Sequence, residues 1–157
     1  MIQHLGDPTL VMFMKLLLAA LLGVAMGTER ALWAKQTAGT RTFGLVSLGA
    51  CLFVLTGIEV QTQYIGIVNF DPTHVLGSVV QGIGFLGAGL IIFRGDMLHG
   101  VTTAAGLWVA AGVGAIVAFG LYAAAIFATL LALFIFYGMW YVENRFKDWF
   151  DGVQSGH

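Results

Sequence analysis

Six polar residues stand where they could do chemistry: Glu29 and Arg30 side by side, Arg41, Gln81, and the hydroxyl pair Thr102-Thr103. Glu29 and Arg30 supply opposite charges, and Arg41 adds a second guanidinium able to bond a carboxylate or phosphate with two parallel N–H groups. Thr102 and Thr103 can cap a helix N-terminus or bond across to a neighbouring helix. The set suits a structural ion pair or a polar functional cluster, and residue type alone weighs the two equally for Glu29, Arg30 and Arg41. Hydrolytic chemistry is not indicated. The chain carries no H-E-x-x-H, G-x-S-x-G, phosphate-binding loop or calcium loop, and His4, His74, His99 and His157 all fall outside its apolar runs. Cys51 is the single cysteine, so an internal disulfide and a cysteine metal cage are both excluded, and it reads as a small packing residue. Neither a catalytic residue nor a cofactor is expected, and the chain is not expected to be an enzyme; whether it holds a metal stays open.

The elements that must position these groups follow from composition. Of 157 residues, 59% are hydrophobic and 10% charged, against roughly 45–50% and about 25% in ordinary soluble domains. The apolar residues run in long uncharged stretches, so lipid must be the solvent for most of them. With roughly 20 residues needed per membrane-crossing helix, the chain divides into spans at about 10–27, 43–58, 75–93, 101–119 and 121–142. No charged residue occurs from Val101 to Val142, a stretch long enough for two helices, and Phe119-Gly120-Leu121 is the expected turn between them. Asp7, rather than a basic segment, precedes the first run, which reads as a retained helix and not a cleaved leader. The expected fold is an all-α membrane protein, a compact bundle of about five transmembrane helices at 1–142 with an interfacial tail at 143–157.

Orientation follows from Lys and Arg. Arg30, Lys35 and Arg41 lie in the first connection, Arg94 in the third, and Arg145 and Lys147 in the tail, whereas the second connection carries Glu59 and Asp71 but no cation. Basic residues concentrate in short cytoplasmic loops, which predicts an outside N-terminus and a cytoplasmic C-terminus. Lys15 is the exception, expected to snorkel to the outer surface. Asp96 and His99 read as solvated loop residues. Beyond the fifth span, Tyr137, Trp140 and Tyr141 suggest an interfacial aromatic belt. Phe146, Trp149, Phe150 and Val153 then alternate helically with Lys147, Asp148 and Asp151, the pattern of a short amphipathic helix at the interface.

Glycine is the other distinctive residue, with 22 copies. Gly82, Gly84 and Gly87 form a literal G-x-G-x-x-G, but the segment is apolar, follows no strand, and lacks an acidic ribose partner, so dinucleotide binding is rejected. Small residues let helix backbones approach in lipid. Gly82, Gly84, Gly87 and Gly89 in the third span, Gly23 and Gly27 with Ala19 in the first, and Gly106 with Ala110 and Gly114 in the fourth are therefore expected helix-packing positions. Glycine also suits unwound segments along a substrate path. Gln81 lies about a third of the way into its span, where an unpaired amide is costly; it should bond another helix or line a wet cavity. Glycine faces on so small a bundle predict association in the bilayer with a second copy, a dimer first, or with a larger membrane protein. Nucleic acid is excluded as a partner, the net charge being −1 with no basic run.

Four ordered blocks then carry a resemblance. They are Gly23-Val24-Ala25-Met26-Gly27-Thr28-Glu29-Arg30, Ala38-Gly39-Thr40-Arg41-Thr42 with Leu45-Val46-Ser47-Leu48-Gly49-Ala50, Gly82-Ile83-Gly84-Phe85-Leu86-Gly87-Ala88-Gly89, and Gly100-Val101-Thr102-Thr103-Ala104-Ala105-Gly106-Leu107-Trp108. Together the chain resembles the MgtC/SapB (YhiD-type) membrane proteins of bacteria. The resemblance implies a bacterial inner-membrane protein of about five spans, named in part for magnesium and associated with growth at low magnesium, acid resistance and survival in host cells. One implied mode is regulation of other membrane machinery such as ATP synthase. By position, Glu29, Arg30, Arg41, Thr102 and Thr103 match the family's polar motif residues. Two departures stand out: many members carry a soluble C-terminal domain not found in these 157 residues, and His99 replaces a basic residue before the glycine, which would make that loop pH-sensitive.

Two functions are carried forward. The first is a regulatory or stress-adaptation role exerted through membrane helix contacts. The second is transport of a cation, magnesium included, or a small solute along a helix or subunit interface. Magnesium favours carboxylates and retained waters, and Glu29, Asp96, Glu59 and Asp71 all lie near span ends, which weighs against conduction. A lipid-directed enzyme built on Glu29, Arg30, Arg41, Thr102 and Thr103 comes third.

Overall fold

A computed structural model describes the backbone of residues 7–32, 38–64, 71–94 and 97–154, and the side chains within those ranges except 72, 73, 94 and 139–154. Lys35 and Asp96, and the side chains of Arg94, Trp140, Tyr141 and the amphipathic segment beyond them, lie outside the described set. Five helices follow in order: α1 (Pro8–Leu32), α2 (Thr40–Gln63), α3 (Pro72–Leu90), α4 (Val101–Ala118) and α5 (Tyr122–Gln154). Helix α1 starts with an Asp-Pro pair. The Asp7 carboxylate accepts the Thr9 N–H at 2.9 Å, and Pro8 occupies the first helical position, where a missing N–H costs nothing.

The all-α expectation needs one correction. Between α3 and α4, β1 (Ile92–Arg94) pairs antiparallel with β2 (Met97–His99), with Ile92 opposite His99 and Arg94 opposite Met97. The third helix therefore stops at Leu90, and Ile92 and Phe93, expected at its end, belong to the hairpin. β-branched and aromatic residues favour that extended state. Gly100 closes the hairpin onto α4 with φ 90°, and a Cβ there would strike the Leu90 carbonyl. The α4–α5 reversal occupies residues 119–121, with Gly120 at φ 81°, a conformation that side-chain-bearing residues resist.

Among the described residues three helices, Pro8–Leu32, Thr40–Gln63 and Val101–Ala118, are long and apolar enough to cross a membrane; the apolar parts of the other two, His74–Leu90 and Tyr122–Gly138, are shorter. Helix α5 continues without a break to Gln154. Large apolar side chains including Phe13, Phe53, Phe85, Phe127 and Phe134 point outward. In water so much exposed apolar surface would drive aggregation, whereas lipid requires it.

The centre of the bundle is α1, α2 and α4. A Cβ on Gly23 would come within 2.6 Å of the Phe43 carbonyl oxygen and one on Gly27 within 2.7 Å of the Gly39 carbonyl oxygen, so α1 and α2 pack antiparallel with their backbones in contact. Helix α4 runs alongside α2 in the same direction. A Cβ on Gly106 would meet the Phe43 ring, and one on Gly114 would overlap the Ser47 carbonyl. Ala19, Met26, Phe43, Cys51, Leu107 and Val113 fill the core between them. Helix α3 flanks α4, where Gly87 rests on Ala104 in ordinary contact, at 3.5 Å for an added Cβ.

Candidate functional site

This packing gathers polar groups at the end of the bundle where α1 finishes and α2 and α4 begin. Arg30 occupies the last turn of α1, where a cation opposes the partial negative charge of the free carbonyls. Its side chain leaves α1 and enters the bundle, remaining only 7% exposed. There Nη2 donates to Thr103 Oγ1 at 3.1 Å, and the guanidinium carbon lies 4.8 Å from the centre of the Phe136 ring. One residue thus ties α1 to α4 by a hydrogen bond and to α5 by a cation–π contact. A planar guanidinium suits both roles, offering a flat face to the ring and N–H donors at its edge.

The same ring packs against α4. A Cβ on Gly106 would lie 2.7 Å from Phe136 Cζ and 3.0 Å from Phe43, so the absent side chain of Gly106 leaves room for the aromatic that Arg30 covers. Burying a guanidinium is costly unless its donors are used, and Nε finds no partner among the described residues. Nor does Glu29 Oε2, a buried atom of the half-buried neighbouring carboxylate. The site therefore holds a cation bonded to Thr103 beside a carboxylate with one buried, unbonded oxygen. That is a polar junction with spare bonding capacity.

The other residues singled out by sequence do not join this junction. Arg41 is exposed and, with Thr42, sits at the end of a cleft of about 840 Å³ between α2 and α3, lined along its length by Phe53, Ser78, Gly82 and Leu86. Thr102 is exposed next to buried Thr103. Gln81 is exposed on α3, away from the cleft lining. Of the glycines, Gly23, Gly27 and Gly106 make close helix contacts and Gly87 an ordinary one, whereas a Cβ on Gly82, Gly84 or Gly89 would meet nothing within 4 Å. At those three an added side chain would enter open space.

Several working residues escape sequence reasoning. Ser47 Oγ donates to the Ala19 carbonyl at 2.7 Å, a fully buried tie between α2 and α1. Lys15, expected to snorkel toward the outer surface, donates from Nζ to the Ala118 carbonyl at 2.8 Å, satisfying an orphan carbonyl at the C-terminus of α4, the end of the bundle where α1 begins. Phe136 is one of 12 phenylalanines, and nothing in its local sequence marks it as the ring that receives Arg30.

All the residues of the Arg30 junction fall inside one family match. The MgtC family covers residues 16–145. The chain belongs to the MgtC family. It is 38% identical over 120 residues to "Protein MgtC" of Salmonella typhimurium (strain 14028s / SGSC 2262), covering 76% of this chain and 48% of that one. It is 35% identical over 123 residues to "Putative magnesium transporter YhiD" of Escherichia coli (strain K12), covering 77% of this chain and 57% of the relative. An "Uncharacterized protein" of Haemophilus influenzae (strain ATCC 51907 / DSM 11121 / KW20 / Rd) is 35% identical over 128 residues, 79% and 53% of the two chains. The chain spans about half the length of these MgtC relatives, and no solved structure matches it.

Proposed function

We propose that this MgtC-family chain is a regulatory protein of the bacterial inner membrane, serving adaptation to low magnesium, acid or host conditions through contacts between its helices and those of a second copy or a larger membrane complex. The observation that carries the reading is the outer face of α3. Gly77, Gln81, Gly84, Phe85 and Ala88 are all exposed and follow one another at helical spacing, and the glycines have open space where a side chain would be. An amide among small residues on a lipid-facing surface has its natural partner on another helix, because lipid offers no hydrogen bond. In a dimer Gln81 would meet its own counterpart.

The Arg30 junction contributes rigidity to this scheme by fixing α1, α4 and α5 at the end where Arg41 also lies. Placing that end in the cytoplasm, with the N-terminus outside, accords with the positive charge of Arg30, Lys35, Arg41 and Arg94. Transport of a cation along a helix or subunit interface is the second reading, favoured by the name of the Escherichia coli relative. Against it, the acidic residues whose side chains are described, Asp7, Glu29, Glu59 and Asp71, stand toward helix ends, whereas a magnesium path draws on carboxylates.

One experiment separates the two. Gly84→Cys in a Cys51→Ala background is oxidised in native membranes, and Gln81→Leu and Gly84→Leu are scored for growth at low magnesium. The regulatory reading expects a crosslinked dimer or partner adduct, with growth lost in both leucine variants while the protein stays folded. Monomer alone, together with magnesium flux into vesicles containing the purified chain, sinks it in favour of transport.

A further inference from the structure

The cleft between α2 and α3 is a second feature, separate from the outer face of α3 and from the Arg30 junction. Its walls are apolar for most of their length, formed by Leu45, Phe53, Val79 and Leu86, and among the described residues its one charged lining residue is Arg41 at one end, with the Thr42 hydroxyl beside it. Arg41 stands in the first turn of α2, whose N-terminus has no side-chain cap, so the guanidinium at the cleft mouth belongs to the same turn as the free N–H groups of the helix start. Both favour an anion. From Arg41 to Phe53 the helix rises about 18 Å at 1.5 Å per residue, close to half of a ~30 Å hydrocarbon core. The cleft therefore begins with a cation at the helix-end level and runs apolar for the depth of one leaflet.

We propose that this cleft binds one anionic phospholipid from the leaflet on the Arg41 side, with its phosphate on Arg41 and Thr42 and an acyl chain lying between α2 and α3 over Gly49 and Gly82. Charge complementarity selects the headgroup, and the absence of side chains on the two glycines makes room for the chain. Among the described residues no other part of the chain comes within 4 Å of where either Cβ would stand, so larger residues there would fill the cleft without displacing backbone.

The full chain is placed in nanodiscs of phosphatidylglycerol and phosphatidylcholine at equal fractions, released, and examined by native mass spectrometry for retained lipid. Wild type is expected to keep one phosphatidylglycerol in preference to phosphatidylcholine. Arg41→Ala should lower that preference about fivefold, the effect of one basic residue at a membrane surface, and Arg41→Lys should retain most of it. Gly82→Leu should abolish retention of either lipid with an unchanged thermal midpoint. Gly49→Leu fills the cleft from the α2 wall and gives the same readout where Gly82→Leu does not fold. The proposal fails if filling the cleft leaves phosphatidylglycerol bound, if Arg41→Ala keeps the full headgroup preference, if soluble glycerol phosphate competes as well as the lipid, or if a second copy of the chain, rather than lipid, protects a cysteine placed at Gly82. Loss of the α3 crosslink at Gly84 bears on the regulatory reading alone and leaves these outcomes intact.

Discussion

The α1–α2–α4 centre and α3 are both rich in glycine, yet they use it in opposite ways. At the centre, Gly23, Gly27, Gly106 and Gly114 are positions where a single added carbon meets another helix, twice as a backbone carbonyl within 2.7 Å and once in outright overlap. On α3, Gly77, Gly82, Gly84 and Gly89 face open space. Close contact at the centre is a property of the folded chain itself. The open glycines of α3 make no such contact among the described residues, and the proposed function assigns them to contacts outside the chain. In lipid this difference matters more than in water, because burying an apolar helix against another apolar helix gains little over leaving it in the bilayer, and packing of small residues supplies much of the association energy.

The sharpest way to break this contrast is to place the same substitution in both regions. Gly114→Leu pushes a side chain into the Ser47 backbone, which cannot move aside as a flexible side chain can. Overpacking commonly costs about 1–3 kcal/mol and more where backbone must shift, so this variant is expected to yield little folded protein by size-exclusion chromatography in detergent. Gly84→Leu should express and melt like wild type. Equal damage from both would show that α3 is as tightly held as the centre, and the comparison would collapse.

Next in size is the Arg30 junction, which belongs to the centre but is polar. Arg30→Ala removes the bond to Thr103 and the contact with Phe136 and leaves a gap among α1, α4 and α5; a loss of about 2–4 kcal/mol is expected, read as a lowered thermal midpoint in micelles. Arg30→Lys keeps the charge but not the planar stack and should lose about 1–2 kcal/mol. Thr103→Val, which keeps the shape and removes the acceptor, should lose about 1 kcal/mol. If Arg30→Ala is as stable as wild type but loses the low-magnesium phenotype, the junction serves binding rather than architecture.

How far each region was legible in the sequence follows the same division. The apolar runs and the glycine turn gave away the helices, because lipid leaves the chain few alternatives. The paired strands Ile92–Arg94 and Met97–His99 were hidden, since apolar residues at the end of a span read the same whether they prolong a helix or turn into a hairpin. Arg30 and Thr103 stood out by type, but Phe136 could not, because which of many phenylalanines receives a guanidinium is fixed by helix rotation and not by local pattern. Glycine was legible as a packing residue and mute about the partner. Gly106 and Gly84 look alike along the chain, and only the assembled bundle separates a glycine that fits Phe136 and Phe43 from one that faces out.

A smaller effect tests the centre at a single hydrogen bond. Ser47→Ala deletes the Oγ bond to the Ala19 carbonyl while keeping the small volume that Gly23 and Gly114 require. Interhelical bonds of this kind contribute on average about 0.6 kcal/mol in membrane proteins and up to about 1.7. About 1 kcal/mol is expected here because the donor is fully buried, measured by steric trapping in bilayer-like micelles. No change at all would mean that backbone contact alone holds α1 to α2.

The smallest effect is the most discriminating, because its sign differs between two measurements. Gly84→Ala removes a helix-interior glycine where nothing opposes the added methyl, so the isolated chain should gain about 0.5 kcal/mol from lower backbone entropy in the unfolded state. If the outer face of α3 mates closely with a second copy, the same methyl holds the two backbones apart, and the Gly84-proximal dimer should weaken in a dilution series of the crosslinkable protein in lipid. A glycine with no role outside the chain would give the first result without the second. A stabilised monomer together with a weakened dimer is the mark of a glycine kept open for a partner.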